Sequence, residues 1–313
     1  MDKFKDLFSL VKVRKFPDKN YHAIWHDLKT IRLGSGVAAE LEPEFSEFFD
    51  VAINTKCNAE CDFCYVSASS NGINYPDICE TWKKWMKTFP EDKFMEGTNI
   101  VNTKKAFQIA IGSTGEPTLH PEFCEFLKTV YESGIVPNYT TNGIIISDKK
   151  AAKDILEATS KYCGGVAVSF GNPKLIKYAQ KAVDNLAELE DVKINLHHII
   201  SDNKSVDRFV EYHKQYGNKV YYHVLLPLMP SGRSKEGLQN GTWEYLENIL
   251  SNSYKYDNVS FGAHFIDKLE KSTKIKTWMY PAESLSKNII LTKDCVKITP
   301  SSFNLTPIKE IKL

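Results

Sequence analysis

The sequence predicts an α/β fold in which six strand and helix units build one parallel sheet, open or closed into a partial barrel. Short apolar runs rich in β-forming residues alternate with amphipathic stretches about six times between residues 48 and 230. This alternation predicts parallel strands joined by right-handed crossovers. A chain of 313 residues is long enough for one large domain with small additions.

Strands are predicted where apolar residues run together between turn residues. They are expected at residues 48–54, 106–112, 136–143, 164–171, 192–200 and 219–228. Helices are expected between them, at residues 77–89, 121–134, 148–162, 173–190 and 207–217. The second helix has the most typical boundaries, because Pro121 opens it and Gly134 closes it.

The flanking segments do not follow this alternation. We therefore expect three regions, an N-terminal extension at 1–47, the barrel at 48–235 and a C-terminal extension at 236–313. A helix is predicted at 242–254 in the last region. The turn-like stretch "LTKDCVKI" predicts a hairpin that ends near Ser301.

Charge and hydropathy narrow the class of protein. Lys and Arg total 40 and Asp and Glu total 39, so the formal charge of +1 provides no field for collecting nucleic acid. Apolar runs such as residues 144–146 are far shorter than the roughly 20 residues that span a bilayer. The opening "MDKFKDLFSLVKVRKF" carries charges throughout and does not read as a signal peptide. These features predict a cytoplasmic protein with no membrane partner.

Three of the seven cysteines fall within eight positions, in the stretch "CNAECDFC". Cys57, Cys61 and Cys64 follow the first predicted strand, at the edge where α/β sheets and barrels build their sites. Packed thiols are one explanation, since free cysteine behaves as a small hydrophobe. The density of thiols in one loop favours a metal site instead.

Zinc and iron–sulfur clusters are the two metal alternatives. A structural zinc takes four ligands, yet Cys79, Cys124, Cys163 and Cys295 are scattered. An iron–sulfur cubane held by three thiolates leaves one iron open for a small bidentate ligand, so three cysteines suffice.

Two motifs carry a resemblance to a known family. The spacing Cys57-x3-Cys61-x2-Cys64, with Phe63 before the last cysteine, resembles the signature of the radical S-adenosylmethionine (radical SAM) superfamily. One strand and helix unit later, "TGEP" resembles that family's GGE motif, with Thr114 in place of its first glycine. The resemblance covers residues of roughly 50 to 235 and implies a partial (β/α)6 TIM-like barrel.

The resemblance also implies a cofactor set and its chemistry. Cys57, Cys61 and Cys64 would bind one [4Fe-4S] cluster, whose open iron is chelated by S-adenosylmethionine (SAM). An electron from the cluster then cleaves SAM to a 5'-deoxyadenosyl radical, which abstracts hydrogen from the substrate. A flavodoxin or ferredoxin is the expected reductant.

The SAM contacts implied by the resemblance lie at successive strand ends. They are Thr114, Gly115, Glu116 and Pro117, then Thr140 and Asn142, then Ser169, and finally Leu226 and Arg233. The Glu116 region would receive the SAM ammonium, and the backbone around Leu226 would hold the adenine. Turn chemistry or a surface salt bridge explains several of these residues equally well. Asn195 or His197 would face the site from the fifth strand.

The tail departs from related enzymes that carry auxiliary clusters. It holds only Cys295, and one thiol cannot bind a cubane, so a second cluster is not expected. Cys295 is either an unreactive tail cysteine or a donor that returns a hydrogen atom to a substrate radical.

Three functions remain open at the level of sequence. The first is radical SAM modification of a peptide or protein side chain, and the second is radical SAM chemistry on a small metabolite or nucleotide. The third is a non-catalytic protein in which the loop binds an iron–sulfur cluster or zinc as a staple. The 47 residues before the first strand are too few for a leader-binding domain of about 80 residues, which weakens the peptide hypothesis without removing it.

Overall fold

A computed structural model describes residues 47–96, 99–104, 106–251, 256–275, 286–300 and 305–313, together with strands at 12–16, 21–26 and 29–34. Most of the predicted N-terminal extension, the last residues of the predicted helix at 242–254 and Ser301 lie outside these ranges. No helix in the described ranges is long and apolar enough to cross a membrane.

The strands, in chain order, have the following bounds. They are β1 Lys12–Phe16, β2 Tyr21–His26, β3 Lys29–Gly34, β4 Phe48–Ala52, β5 Glu91–Glu96, β6 Asn99–Lys104, β7 Gln108–Ile111, β8 Val136–Thr141, β9 Gly165–Ser169, β10 Lys193–Ile200, β11 Tyr222–Pro227, β12 Val259–Phe261, β13 Ser286–Thr292, β14 Cys295–Thr299 and β15 Lys309–Lys312. The helices are α1 Ile78–Thr88, α2 Phe123–Glu132, α3 Lys153–Tyr162, α4 Ile176–Ala187, α5 Asn203–Tyr216, α6 Thr242–Leu250 and α7 Ile266–Lys271.

Within the described ranges, the main sheet has ten strands in the order β12-β11-β10-β9-β8-β7-β4-β13-β14-β15. All neighbours from β12 to β13 pair in parallel, and the six predicted strands form the middle of this series with helices between them. The predicted α/β fold with a partial barrel is therefore confirmed.

Some elements were not predicted. The hairpin β5–β6 interrupts the connection from β4 to β7, and its polar sequence lacks the apolar run that marks a buried strand. Strand β12 adds a seventh parallel strand after β11, although it has only three residues.

The tail extends the same sheet. Strands β13 and β14 form the expected antiparallel hairpin. Strand β13 also pairs in parallel with β4, the strand that precedes residues 57–70, which carry Cys57, Cys61 and Cys64 and are called the cysteine loop below. Helix α1 fixes this hairpin because Thr81 Oγ1 donates to the Thr292 carbonyl at 3.2 Å. The tail therefore lies beside the first strand of the barrel.

The main core fills the space between the sheet and its helices. Phe49 and Val51 of β4 pack in this core with Trp82 and Trp85 of α1, whose rings meet edge to face at 5.5 Å. Because side chains alternate along a strand, Asp50 must lie on the opposite face, toward the barrel interior.

The same alternation fixes the orientation of β10. His198 stacks on His223 with ring centroids 5.3 Å apart and contacts Phe209 of α5, so it faces the helices. Asn195 and His197 therefore both face the barrel interior. His197 is also the register partner of Ser169 on β9.

Candidate functional site

The cysteine loop leaves the carboxyl end of β4 and folds back on itself. The thiols of Cys57, Cys61 and Cys64 are half-buried and form no disulfide. The Cys64 N–H donates to the Cys61 carbonyl at 3.1 Å, and the Cys57 N–H donates to the Ser69 carbonyl at 2.8 Å. The three thiols thus share one loop at the edge of the sheet where barrel enzymes build their sites.

Two asparagine side chains direct amide groups at these sulfurs. Asn172 Nδ2, three residues beyond the end of β9, donates to Cys61 Sγ at 3.2 Å. Asn142 Nδ2, directly after β8, lies 3.8 Å from Cys57 Sγ. In metal–thiolate centres, hydrogen bonds from amide groups to the sulfurs influence the reduction potential of the centre. The sequence predicted Asn142 as a site residue, but Asn172 was missed.

Burial is the main influence on the protonation of the loop thiols. It raises the pKa of both Cys57 and Cys61, and the N–H groups on their sulfurs oppose this effect. Neighbouring thiols raise both pKa values further. A bound cationic metal centre reverses such a shift, because it deprotonates the thiols that coordinate it.

The spacing of the donors bears on which metal fits. Among the described residues, no three His, Cys, Asp or Glu side chains lie close enough together for a single metal ion. Zinc draws all its ligand atoms to about 2.0–2.3 Å from one ion, whereas a four-iron cubane binds each thiolate through a different iron. Three thiols in one loop supply the donor type that an iron–sulfur cluster takes.

The TGEP motif after β7 is bound directly to the start of the cysteine loop. The Glu116 N–H donates to the Lys56 carbonyl at 2.8 Å, and Thr114 Oγ1 donates to the Asn54 carbonyl at 2.6 Å. Asn54 Nδ2 returns a hydrogen bond of 2.8 Å to the Glu116 carbonyl. The two sequence motifs therefore form one continuous structure.

Gly115 allows this close approach. A Cβ at Gly115 would lie 2.3 Å from Asn54 Oδ1 and 2.8 Å from the Lys56 carbonyl oxygen. No side chain fits at these distances, so glycine is required for packing against the loop.

The Glu116 carboxylate is buried and heavily hydrogen-bonded. It accepts from Thr118 Oγ1 at 2.6 Å, from Thr141 Oγ1 at 2.9 Å and from the Asn142 N–H at 2.7 Å. Burial raises the pKa of Glu116, and these hydrogen bonds oppose the rise. The side chain thus ties the motif to the end of β8, a structural role that the sequence did not indicate.

Two buried polar atoms beside the motif have no hydrogen-bond partner among the described residues. They are Asn54 Oδ1 and Ser113 Oγ, in side chains that are almost fully buried. The Ser113 carbonyl is used, since Tyr65 Oη donates to it at 2.8 Å. Unpaired buried polar atoms are uncommon and mark places where a polar ligand can bind. Asn54 Oδ1 is directed at Gly115, so the motif itself covers this atom.

The remaining predicted contacts lie at neighbouring strand ends. Thr140 and Ser169 are half-buried and lie within the last two residues of β8 and β9. Pro117 is buried and opens a short 3-10 turn, and Leu226 lies one residue before the end of β11. Parallel strands place all these ends at one edge of the sheet.

Arg233 contacts the cysteine loop. Its Nε donates to the Cys61 carbonyl at 2.8 Å, and its Nη1 donates to the Ala68 carbonyl at 2.8 Å. Two of its three guanidinium nitrogens are used in this way. The expected contact of Arg233 with a cofactor or substrate carboxylate remains a prediction.

Cys295 lies at the same edge as the cysteine loop. It is the first residue of β14 and pairs with Thr292, the last residue of β13. Because β13 runs parallel to β4, the carboxyl ends of both strands meet at this edge. The half-buried Cys295 thiol is separated from the strand of the cysteine loop by β13 alone.

Two ionisable side chains face the barrel interior below this edge. Burial raises the pKa of the Asp50 carboxyl to about 7 and lowers the pKa of His197 to about 4. Near pH 7 His197 is therefore largely neutral, while Asp50 is close to the midpoint of its titration. Perturbed groups in the interior of a barrel are candidates for substrate contact.

Comparisons with known proteins bear on the fold. No protein-family model matches the sequence. Streptococcus suis SuiB bound to S-adenosylmethionine superimposes with a TM-score of 0.55 and 14% identity, over 82% of this chain and 60% of SuiB. SuiB bound to its precursor peptide SuiA gives a TM-score of 0.57 and 16% identity, over 86% of this chain and 62% of that chain.

A curated relative covers a shorter stretch. The tungsten-containing aldehyde ferredoxin oxidoreductase cofactor-modifying protein of Pyrococcus furiosus is 23% identical over 107 residues, which are 33% of this chain and 26% of that protein. The chain thus spans about three-fifths of SuiB and about a quarter of the Pyrococcus protein. At these identities the comparisons establish an α/β partial-barrel fold shared with SuiB.

Proposed function

We propose that this protein is a radical SAM enzyme. One observation carries the proposal: the cysteine loop and the TGEP motif, 50 or more residues apart in sequence, are joined by direct hydrogen bonds at the carboxyl edge of β4 and β7. The fold shared with SuiB, of which one structure is described as bound to S-adenosylmethionine, supports the same assignment.

Each residue of the site has its own proposed role in binding the cluster or SAM. Cys57, Cys61 and Cys64 would hold a [4Fe-4S] cluster, which when bound supplies the electron that cleaves SAM to a 5'-deoxyadenosyl radical. Gly115 lets the backbone of the TGEP motif pack closely against the start of the cysteine loop. Glu116 orders the backbone around the position proposed for the SAM ammonium.

The other contacts surround the rest of SAM. Thr140, Asn142 and Ser169 offer hydrogen bonds at strand ends, and the backbone near Leu226 is proposed to hold the adenine. Hydrogen abstraction would take place in the barrel interior below them. Exclusion of water from that space would protect a reactive radical.

The substrate is proposed to be a peptide or protein side chain. This rests on the fold shared with SuiB, one structure of which is described as bound to its precursor peptide SuiA. A small metabolite or nucleotide is the alternative. It is favoured by the polar interior, to which Asp50, Asn195 and His197 contribute. A flavodoxin or ferredoxin is the proposed reductant.

A reconstitution experiment tests the proposal. Anaerobic protein is loaded with iron and sulfide, reduced with dithionite and incubated with SAM, and 5'-deoxyadenosine is measured by mass spectrometry. Wild-type protein is expected to form it, and Cys57→Ala, Cys61→Ala and Cys64→Ala are expected to lose it. Cys124→Ala is the matched control, because this half-buried cysteine lies in α2, outside the loop.

The outcomes separate the alternatives. A reconstituted wild-type protein that binds iron but cleaves no SAM would support a structural cluster. Tight binding of zinc in preference to iron would support a zinc staple. Either result would overturn the enzyme assignment.

A further inference from the structure

The loop after β11 contacts the main chain of the cysteine loop. The Arg233 N–H donates to the Cys64 carbonyl at 2.9 Å, and Ser231 Oγ donates to the Tyr65 carbonyl at 3.2 Å. The Arg233 side chain adds the hydrogen bonds to the Cys61 and Ala68 carbonyls. Residues 231–233 thus hold four carbonyls of the segment that carries the three thiols.

Gly232 makes this contact possible. Its φ of +61° is in the left-handed region, and a Cβ there would lie 2.3 Å from the Cys64 carbonyl oxygen and 2.5 Å from the Tyr65 carbonyl carbon. Those are main-chain atoms, so a side chain cannot be accommodated by a rotamer change.

The cysteine loop has little regular strand pairing of its own. Between β4 and α1 the described residues form only two isolated bridges, Asn54 with Asn74 and Lys56 with Ser69. A guanidinium has donors in a rigid fork and bonds two acceptors at once, whereas an ammonium is a single point charge. Arg233 therefore cross-links the Cys61 and Ala68 carbonyls inside the loop.

The Arg233 side chain also brings a positive charge to the cysteine loop. Its guanidinium donates to the Cys61 carbonyl at 2.8 Å, which places the positive charge beside a residue proposed to bind the cluster. A nearby positive charge also stabilises the more negative, reduced form of a cluster, which raises its reduction potential.

We propose that Gly232 and Arg233 are positioning residues for the cysteine loop, and that the Arg233 charge raises the reduction potential of the cluster bound there. The positioning role can be tested without a cluster, and the effect on the potential rests on the proposed function. The residues act through the loop, since their observed contacts are with its carbonyls.

The first experiment measures how well the cysteine loop is protected from hydrogen exchange in protein without a cluster. Hydrogen exchange followed by mass spectrometry is compared for residues 57–70 in wild type, Arg233→Lys, Arg233→Gln and Gly232→Ala. We expect each variant to lose roughly tenfold or more in protection there, with the β7–β10 core unchanged. Gly241→Ala is the control for Gly232, because Gly241 also has a positive φ of +80° but no atom within 4 Å of an added Cβ. Arg208→Gln, on α5, is the control for removal of an arginine.

The second experiment measures the loaded protein. Iron content and the midpoint potential, from a redox titration followed by EPR, are compared in the same variants. Arg233→Lys keeps the charge and loses the fork, so its potential is expected to stay nearer wild type than that of Arg233→Gln, which shifts to a more negative value.

Each result has a defined meaning. Unchanged loop protection in Arg233→Gln and Gly232→Ala would overturn the positioning role, and equal potentials in Arg233→Gln and wild type would overturn the electrostatic role. If wild type binds no cluster, the proposed function fails, while the exchange data still decide the positioning role. A protection loss spread over the whole chain would indicate unfolding and would count against specific positioning.

Discussion

The backbone N–H of Glu116 donates a 2.8 Å hydrogen bond to the carbonyl of Lys56, the residue directly before Cys57. This bond joins the ends of β4 and β7, so the proposed metal loop and the proposed SAM motif cannot move independently. A change in one is therefore expected to disturb the other.

Gly115→Ala tests this coupling. The new Cβ would collide with Asn54 Oδ1 at 2.3 Å, so the motif and the loop must separate. We expect a loss of about 1–3 kcal/mol in the free energy of unfolding, measured with urea, and at least tenfold weaker SAM binding to reconstituted protein. Gly217→Ala is the control for lost stability alone: no atom lies within 4 Å of its added Cβ, but its φ of +43° makes Ala strained, so it should weaken folding without weakening SAM binding. Equal SAM affinity in Gly115→Ala and wild type would contradict the coupling.

Asn172→Asp tests the amide group on Cys61. Asn172 Oδ1 accepts from the Lys174 N–H at 3.0 Å, and an aspartate keeps this cap while it loses the N–H donated to Cys61 Sγ. Loss of a donor to sulfur and gain of a negative charge both disfavour the reduced cluster, so a lower midpoint potential is expected. Asn185→Asp is the control, because the Asn185 amide donates to the Ile146 carbonyl at 2.7 Å and the variant likewise loses an amide donor and gains a charge. A potential equal to that of wild type would show that the amide does not tune the site.

Asp50→Asn tests the half-buried carboxyl of Asp50 through the stability of the protein. The folded pKa of about 7 lies above the ordinary value of 3.8, so ionisation of Asp50 opposes folding. The folded state binds the proton more tightly, and wild type therefore loses stability as the pH rises from about 4 to 7. The free energy of unfolding of Asp50→Asn, relative to that of wild type, should therefore rise by a few kcal/mol as the pH increases from 5 to 8. Urea unfolding of protein without a cluster measures this difference. The surface variant Asp257→Asn should show no such gain. A difference between Asp50→Asn and wild type that does not change with pH would refute the shift.

Cys295→Ala tests whether the Cys295 thiol returns a hydrogen atom to the substrate radical. The thiol lies at the same edge of the sheet as the cysteine loop, which is the position that such a donor requires. If Cys295 is the donor, the variant forms 5'-deoxyadenosine at the wild-type rate and loses most of its product. Product yield equal to wild type would restrict Cys295 to a structural role in the hairpin.

Sequence reasoning identified the six central strands because strands buried on both faces read as continuous apolar runs. It identified Cys57, Cys61 and Cys64 as a group because their spacing is local and chemically specific. Strands β12 and β13 were not assigned to the parallel sheet, because β12 has three residues and the pairing of β13 with β4 joins distant parts of the chain.

The contacts that shape the site depend on tertiary structure. Arg233 meets the Cys61 carbonyl across 172 positions, and Asn172 meets the Cys61 sulfur across 111 positions. Neither residue type is unusual at a strand end or in a turn. The inward direction of His197 follows from the packing of His198 on Phe209 of α5, which is a tertiary contact.

The most direct test of the central claim is EPR spectroscopy of the reduced, reconstituted protein with and without SAM, together with an iron count. The account predicts about four irons per chain and a signal that changes when SAM binds the open iron. About eight irons per chain, or a signal that SAM does not alter, would contradict a single cluster held by Cys57, Cys61 and Cys64 with one iron free for SAM.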